Sequence, residues 1–130
     1  MQDTTEKLAI LEVIAAYGDA VNRRDGAAWI ACWEEDAVWS IRDREIAGAP
    51  AILSAWETAM AGYAAVHFFS HLGRLEVSGN SATARVYTVE YLTTADGTTR
   101  TQFGEYDDLF RRQGETCRFA RRAFRVRGAR

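Results

Sequence analysis

Two textures divide the chain. Up to about Met60 the apolar residues recur at three- and four-residue steps, whereas from Val66 onward apolar and polar positions alternate. In the first stretch Leu8, Leu11 and Ala15, then Ile10, Ile14, Tyr17 and Val21, follow the helical step, with Glu6, Glu12, Asn22 and Arg23 between them. Asp3-Thr4-Thr5-Glu6 has the spacing of a capping box, so an amphipathic helix is predicted from there to about Arg24, ended by Asp25-Gly26. A shorter helix is predicted over 27–33, with Trp29, Ile30 and Trp33 on one face and the Glu34-Glu35-Asp36 cluster as its solvated end. Ala37 to Ile41 has the β-branched and aromatic content of a strand. Pro50 suits the first turn of a third helix reaching about Met60, with Ile52, Leu53 and Trp56 as its buried face.

The alternating half is cut by turn signals at Ser78-Gly79-Asn80, Ala95-Asp96-Gly97 and Gln113-Gly114. Four long strands are thereby predicted, over 67–77, 82–93, 99–112 and 117–126. Connections this short make neighbours antiparallel. Helices followed by a meander predict an α+β fold, helices packed on one side of a curved sheet, and a single domain over 1–130.

Charge and composition narrow the chemistry. Sixteen basic against 18 acidic residues leave a net charge of -2, which gives no strong field for nucleic acid or an anionic membrane. No apolar run approaches the roughly 20 residues that span a bilayer, and the first residues are polar, so a soluble, cytoplasmic protein is expected. Two cysteines and two histidines exclude a disulfide scaffold and four-ligand zinc modules. No phosphate-cradling glycine loop or dinucleotide fingerprint is present, so no cofactor is implied. Lys7 is the lone lysine, against 15 arginines, and lies too near the N-terminus to suggest covalent lysine chemistry. Arg118, Arg121, Arg122, Arg125, Arg127 and Arg130 crowd the last strand, where they are expected to pair with acids on a neighbouring strand or across a dimer.

His67 and His71 stand four apart and share a face on either a helix or a strand. Three readings are open: half of a metal site lacking its third ligand, histidines hydrogen-bonded at a sheet edge or in the core, or a general base lining a pocket.

A resemblance bears on that choice. The segments Ala16-Tyr17-Gly18-Asp19-Ala20-Val21-Asn22-Arg23-Arg24-Asp25 and Cys32-Trp33-Glu34-Glu35-Asp36-Ala37-Val38-Trp39 resemble the opening of SnoaL-like families in the nuclear transport factor 2-like superfamily. Gly48 with Ile52, His67-Phe68, the Leu75-Glu76-Val77 to Ala82-Thr83-Ala84-Arg85 hairpin and Gly104-Glu105-Tyr106-Asp107-Asp108 follow in the same order. The resemblance implies a cone: a curved antiparallel sheet around a pocket, completed by three N-terminal helices. It is nearest the scytalone dehydratase-like, hexachlorocyclohexane dehydrochlorinase-like and polyketide cyclase-like branch, where a histidine opening the first long strand is the base and an aspartate ending the first helix holds it. His67 falls on the histidine position, and Asn22 stands where the aspartate would be. A neutral amide can orient an imidazole but does little for its positive charge, so either the base is weaker here or another carboxylate, with Asp19, Glu90 and Asp108 the candidates, substitutes; an asparagine there also fits a site that binds without catalysing.

With His67 inward, alternation brings Phe69 and His71 inward too, Trp39 and Ile41 on the first strand, and Gly104, Tyr106 and Asp108 on the third long strand. The expected site is therefore His67 and Asn22 as catalytic residues, with Trp39, Phe69, His71, Tyr106 and Asp108 binding substrate and no metal. The expected function is a cofactor-independent lyase or isomerase, of dehydratase, dehydrohalogenase or cyclase type, that removes a proton from a small hydrophobic molecule. The alternative is a non-catalytic binding or dimerisation domain, a homo-oligomer formed through the sheet face.

Overall fold

The computed structural model describes residues 2–130, with side-chain surroundings from Thr4 onward. Helix α1 spans Gln2–Arg23, α2 Gly26–Ile30 and α3 Ala49–Ala61. The strands are β1 Trp33–Ile41, β2 Arg44–Ala47, β3 Ala65–Ser78, β4 Ser81–Thr93, β5 Thr99–Gln113 and β6 Thr116–Ala129. They form one curved, unclosed sheet in the order β2-β1-β6-β5-β4-β3.

The helical periodicity translates directly. α1 buries Ile10, Ile14, Tyr17, Ala20 and Val21, while Leu8 and Leu11, on the competing apolar row, stay exposed. The Asp3 side chain of the predicted capping box lies outside the described residues. Glu6 is buried and ion-paired with Arg112. Arg24, at φ 53°, breaks the helix, and Asp25 caps α2 by accepting from the Ala28 N–H at 3.1 Å. α2 ends three residues earlier than predicted because Trp33 and the acidic cluster belong to β1. Glu34 is consequently buried and paired with Arg111 at 3.3 Å rather than solvated at a helix end. α3 begins with Pro in its first turn and buries Ile52, Trp56 and Met60, with Leu53 half-buried.

Every pairing in the meander from β3 to β6 is antiparallel. The exception to an all-antiparallel sheet is β1, which pairs parallel to β6 through Trp39↔Arg122 and Ile41↔Phe124. Turn signals cannot reveal that pairing, because its partners are about 80 residues apart. β2 also escapes the sequence pattern: four residues contribute one buried side chain, Ile46.

One face of the sheet meets the helices; the other is outward. On β3 the inward phase is Val66, Phe68, Ser70 and Leu72, not the odd-numbered phase. His67, Phe69 and His71 are exposed on the outer face, opposite Tyr91, Val89 and Tyr87 of β4. The expected inward orientation of these three residues is thus corrected. Burying Val66, Phe68 and Leu72 removes more apolar surface from water than burying one phenylalanine, and it leaves both imidazoles hydrated.

Four tryptophans sit where helices and sheet meet. Trp29 is fully buried and stacks on Trp56, their centroids 4.6 Å apart and planes inclined by 10°. Trp33, Trp39, Tyr17 and Phe119 continue the cluster. Offset and tilted contacts of this kind add to the burial of the rings themselves.

Candidate functional site

Between the helices and the inner sheet face lies a cavity of about 130 Å³. Trp39, Trp56, Phe68, Leu92 and Phe124 give it apolar walls. Its polar groups are Tyr17 from α1, Glu90 from β4 and Gln102 and Tyr106 from β5, with Arg42 and Tyr63 also on its boundary. An outer recess of about 400 Å³ adjoins it and shares Trp39, Ile41, Arg42, Ala59 and Tyr63.

Of the residues expected to bind a ligand, Trp39 and Tyr106 line the cavity. His67, Phe69 and His71 do not, for the reason given by the phase of β3. Asn22 holds no imidazole: its Nδ2 donates to the Phe68 carbonyl at 2.8 Å and its Oδ1 accepts from the Phe68 N–H at 2.7 Å. This amide clamps α1 to β3, a use for which an aspartate, lacking a donor when ionised, is unsuited. Asp19 pairs with Arg23 on the exposed side of α1. Asp108 faces inward but is consumed by Arg122, which donates to both of its oxygens at 2.7 and 2.9 Å.

Glu90 is the carboxyl that reaches the cavity. Periodicity contains the signal: in the inward phase of β4, Ala82, Ala84, Val86, Thr88 and Leu92, Glu90 is the one ionisable residue. Burial pushes its pKa above the ordinary carboxylate range, opposed by a hydrogen bond from Gln102 and the charge of Arg100. A carboxylate so placed is a stronger base than an exposed one and gains a proton at higher pH.

Opposite it stand two phenols. Burial holds Tyr17 above the usual phenol range and Tyr106 well above it, with Arg122 opposing both shifts. They are neutral hydrogen-bond donors at physiological pH. The Arg122 guanidinium lies 3.6 Å from the ring centroid of Tyr106 and 4.5 Å from that of Tyr17. Burial works against its charge, but Asp108 and the two phenols raise its pKa above the ordinary arginine value, so it remains a cation behind them. The Trp39 indole N–H is buried with no hydrogen-bond partner among the described residues.

The thiols offer no nucleophile. Burial pushes Cys32 up to about 11, and Cys117 is raised by burial and by Glu6. Among the described residues no three His, Cys, Asp or Glu side chains are grouped to hold a metal ion. Among the described residues no helix is long and apolar enough to cross a membrane.

The family model of the SnoaL-like domain matches residues 2–123. The chain belongs to the SnoaL-like family. Among solved structures, a Mycobacterium tuberculosis protein of unknown function is 30% identical, with a TM-score of 0.84 over 93% of this chain and 76% of that one. A hexachlorocyclohexane dehydrochlorinase from Novosphingobium barchaimii superposes with a TM-score of 0.88 over 98% and 90% of the two chains, at 15% identity. A ketosteroid isomerase-like protein from Erwinia carotovora atroseptica gives 0.82 over 93% and 95%, at 20% identity. At such identities these last two establish the SnoaL-like fold. No curated protein matches the sequence.

Proposed function

We propose that this SnoaL-like protein is a cofactor-independent lyase or isomerase acting on a small, largely apolar molecule, with Glu90 rather than His67 as the base. One observation carries the reading: a desolvated carboxyl and two neutral phenols share a cavity whose remaining walls are mostly apolar. Glu90 takes a proton from a carbon next to a carbonyl or similar acceptor. The electron pair of that C–H bond moves onto the acceptor oxygen, which receives hydrogen bonds from the phenols of Tyr17 or Tyr106. Collapse of the resulting enolate either expels a leaving group from the neighbouring carbon, as in elimination, or returns the proton from Glu90 to another carbon, as in isomerisation. Arg122 stabilises negative charge on the phenols from behind without touching substrate.

The test needs no natural substrate. Exchange of the α-protons of 2-tetralone in D2O, followed by NMR, is expected to be accelerated by the protein and to fall at least about 100-fold in Glu90→Gln. Equal exchange by the wild type and the variant overturns the assignment of the base.

The use of Asn22 as a backbone clamp also favours a second reading, a binding domain without turnover. Binding of the ketone with no exchange supports it. We further infer that Phe69, Tyr91 and Phe103, exposed together on the outer face, support pairing of two copies. Sedimentation is expected to show a dimer that Phe103→Glu converts to monomer, and a monomeric wild type excludes the pairing.

A further inference from the structure

Arg42 stands in a place that the proton-transfer reading does not use. It opens the two-residue connection between Ile41 and Arg44, which pair at the end of the β1–β2 hairpin, and it has φ 56°. A long, unbranched side chain gains nothing from the left-handed region, which glycine or asparagine occupies at less cost. Strain of this kind persists where the residue serves something besides the turn.

The arginine pairings point the same way. Arg23, Arg74, Arg85, Arg111, Arg112, Arg121, Arg122, Arg125 and Arg127 have carboxylate partners. Arg24 and Arg118 donate to backbone carbonyls. Among the described residues the side chains of Arg42, Arg44, Arg100 and Arg130 have neither kind of partner, and of these four Arg42 and Arg44 line the outer recess. Of their two acidic neighbours, Glu45 is taken by Arg121 at 2.9 Å, and Asp43, between them in the turn, is not among the residues that line the recess. Around them the recess is apolar, with Trp39, Ile46, Ala55 and Tyr63. A charge-assisted bond is stronger beside such walls than in open water.

Size sets the arrangement of the ligand. An inner cavity of about 130 Å³ holds roughly one six-membered ring, and the remainder of a larger molecule must extend past Arg42 into the recess of about 400 Å³.

We propose that the ligand is an amphipathic acid: an apolar ring seated in the inner cavity beside Glu90 and a carboxylate in the outer recess, held by Arg42 and Arg44. Arg42 adjoins both compartments, so it fixes which end of the molecule enters first. The orientation toward Glu90 rests on the proposed proton transfer; the recognition of the carboxylate does not. Separation also matters chemically, because a ligand anion next to Glu90 would oppose its ionisation.

The experiment compares 2-naphthylacetate with its neutral amide, 2-naphthylacetamide, by isothermal titration calorimetry at low ionic strength. The acid is expected to bind at least about tenfold more tightly than the amide. In Arg42→Asn, chosen because asparagine tolerates the same backbone conformation, the acid falls to the affinity of the amide while the amide is unaffected. Arg44→Gln is expected to lower the affinity of the acid in the same sense. Equal binding of the two probes, equal weakening of both by Arg42→Asn, or binding of neither overturns the proposal. Glu90→Gln separates the two readings: it retains the preference for the acid if carboxylate recognition is right, whether or not it changes proton exchange.

Discussion

Glu90 shows how one residue can serve chemistry against stability. Its pKa is raised in the folded protein by burial. At acid pH both folded and unfolded chains carry it protonated, and it imposes no penalty. As pH rises through the ordinary carboxylate range the unfolded chain ionises first, so stability falls until the folded-state pKa is also passed. Glu90→Gln removes that loss. Its melting temperature is expected to exceed that of the wild type at neutral pH and to match it at low pH, measured by circular dichroism, while exchange activity is lost. A variant destabilised at neutral pH would contradict the sign. Activity, by contrast, needs the ionised form, so it is expected to rise with pH through a midpoint above the ordinary glutamate value.

At the scale of elements, two polar devices hold the cavity walls in place. The Asn22 side chain satisfies both backbone groups of Phe68, tying the end of α1 to the inner phase of β3. Asn22→Ala leaves these groups without that partner and is expected to cost about 1–3 kcal/mol in urea unfolding. Asn22→Asp, which puts a carboxylate against a carbonyl oxygen, is expected to cost a similar amount at neutral pH rather than to create a catalytic dyad with His67. Between β5 and β6, Asp108 and Arg122 are both buried, with side-chain exposures of 0% and 2%. Asp108→Asn leaves a buried guanidinium poorly compensated and is expected to cost about 3–5 kcal/mol. The double replacement Asp108→Leu with Arg122→Met is expected to recover most of that stability, because a hydrophobic pair requires no desolvation of charge. If proton exchange depends on the field of Arg122 behind the phenols, the double variant folds yet exchanges more slowly.

For the whole molecule, the element order was legible because it is written locally: three helical faces, one early strand, and four strands cut by glycine-containing turns. The SnoaL-like resemblance supplied the cone. What escaped was non-local. The parallel pairing of β1 with β6 joins distant segments, and the inner site draws on α1, β1, α3, β3, β4, β5 and β6 at once. The misplacement of His67 has a physical lesson. Val66-His67-Phe68-Phe69 has aromatic rings in both phases, and the resemblance favoured the phase that carried the histidines. The competing phase contained Val66, Phe68 and Leu72, and bulk burial decided it. Glu90 was visible as an acid in an apolar phase, but its role emerges only when β4 faces the phenols of α1 and β5. The arginines near the cavity could not be told from the rest in sequence, since only folding reveals which of them lack acids.

The tryptophan cluster also gives the protein an optical property. Trp29 contacts Trp33, Trp39 and Trp56 with centroid separations between 4.6 and 5.5 Å, close enough for the four indoles to share excitation energy rather than emit as independent fluorophores. Trp39 and Trp56 form part of the cavity wall. A transparent guest that touches either ring therefore perturbs light absorbed anywhere in the set, and the fold acts as its own antenna for the arrival of a ligand.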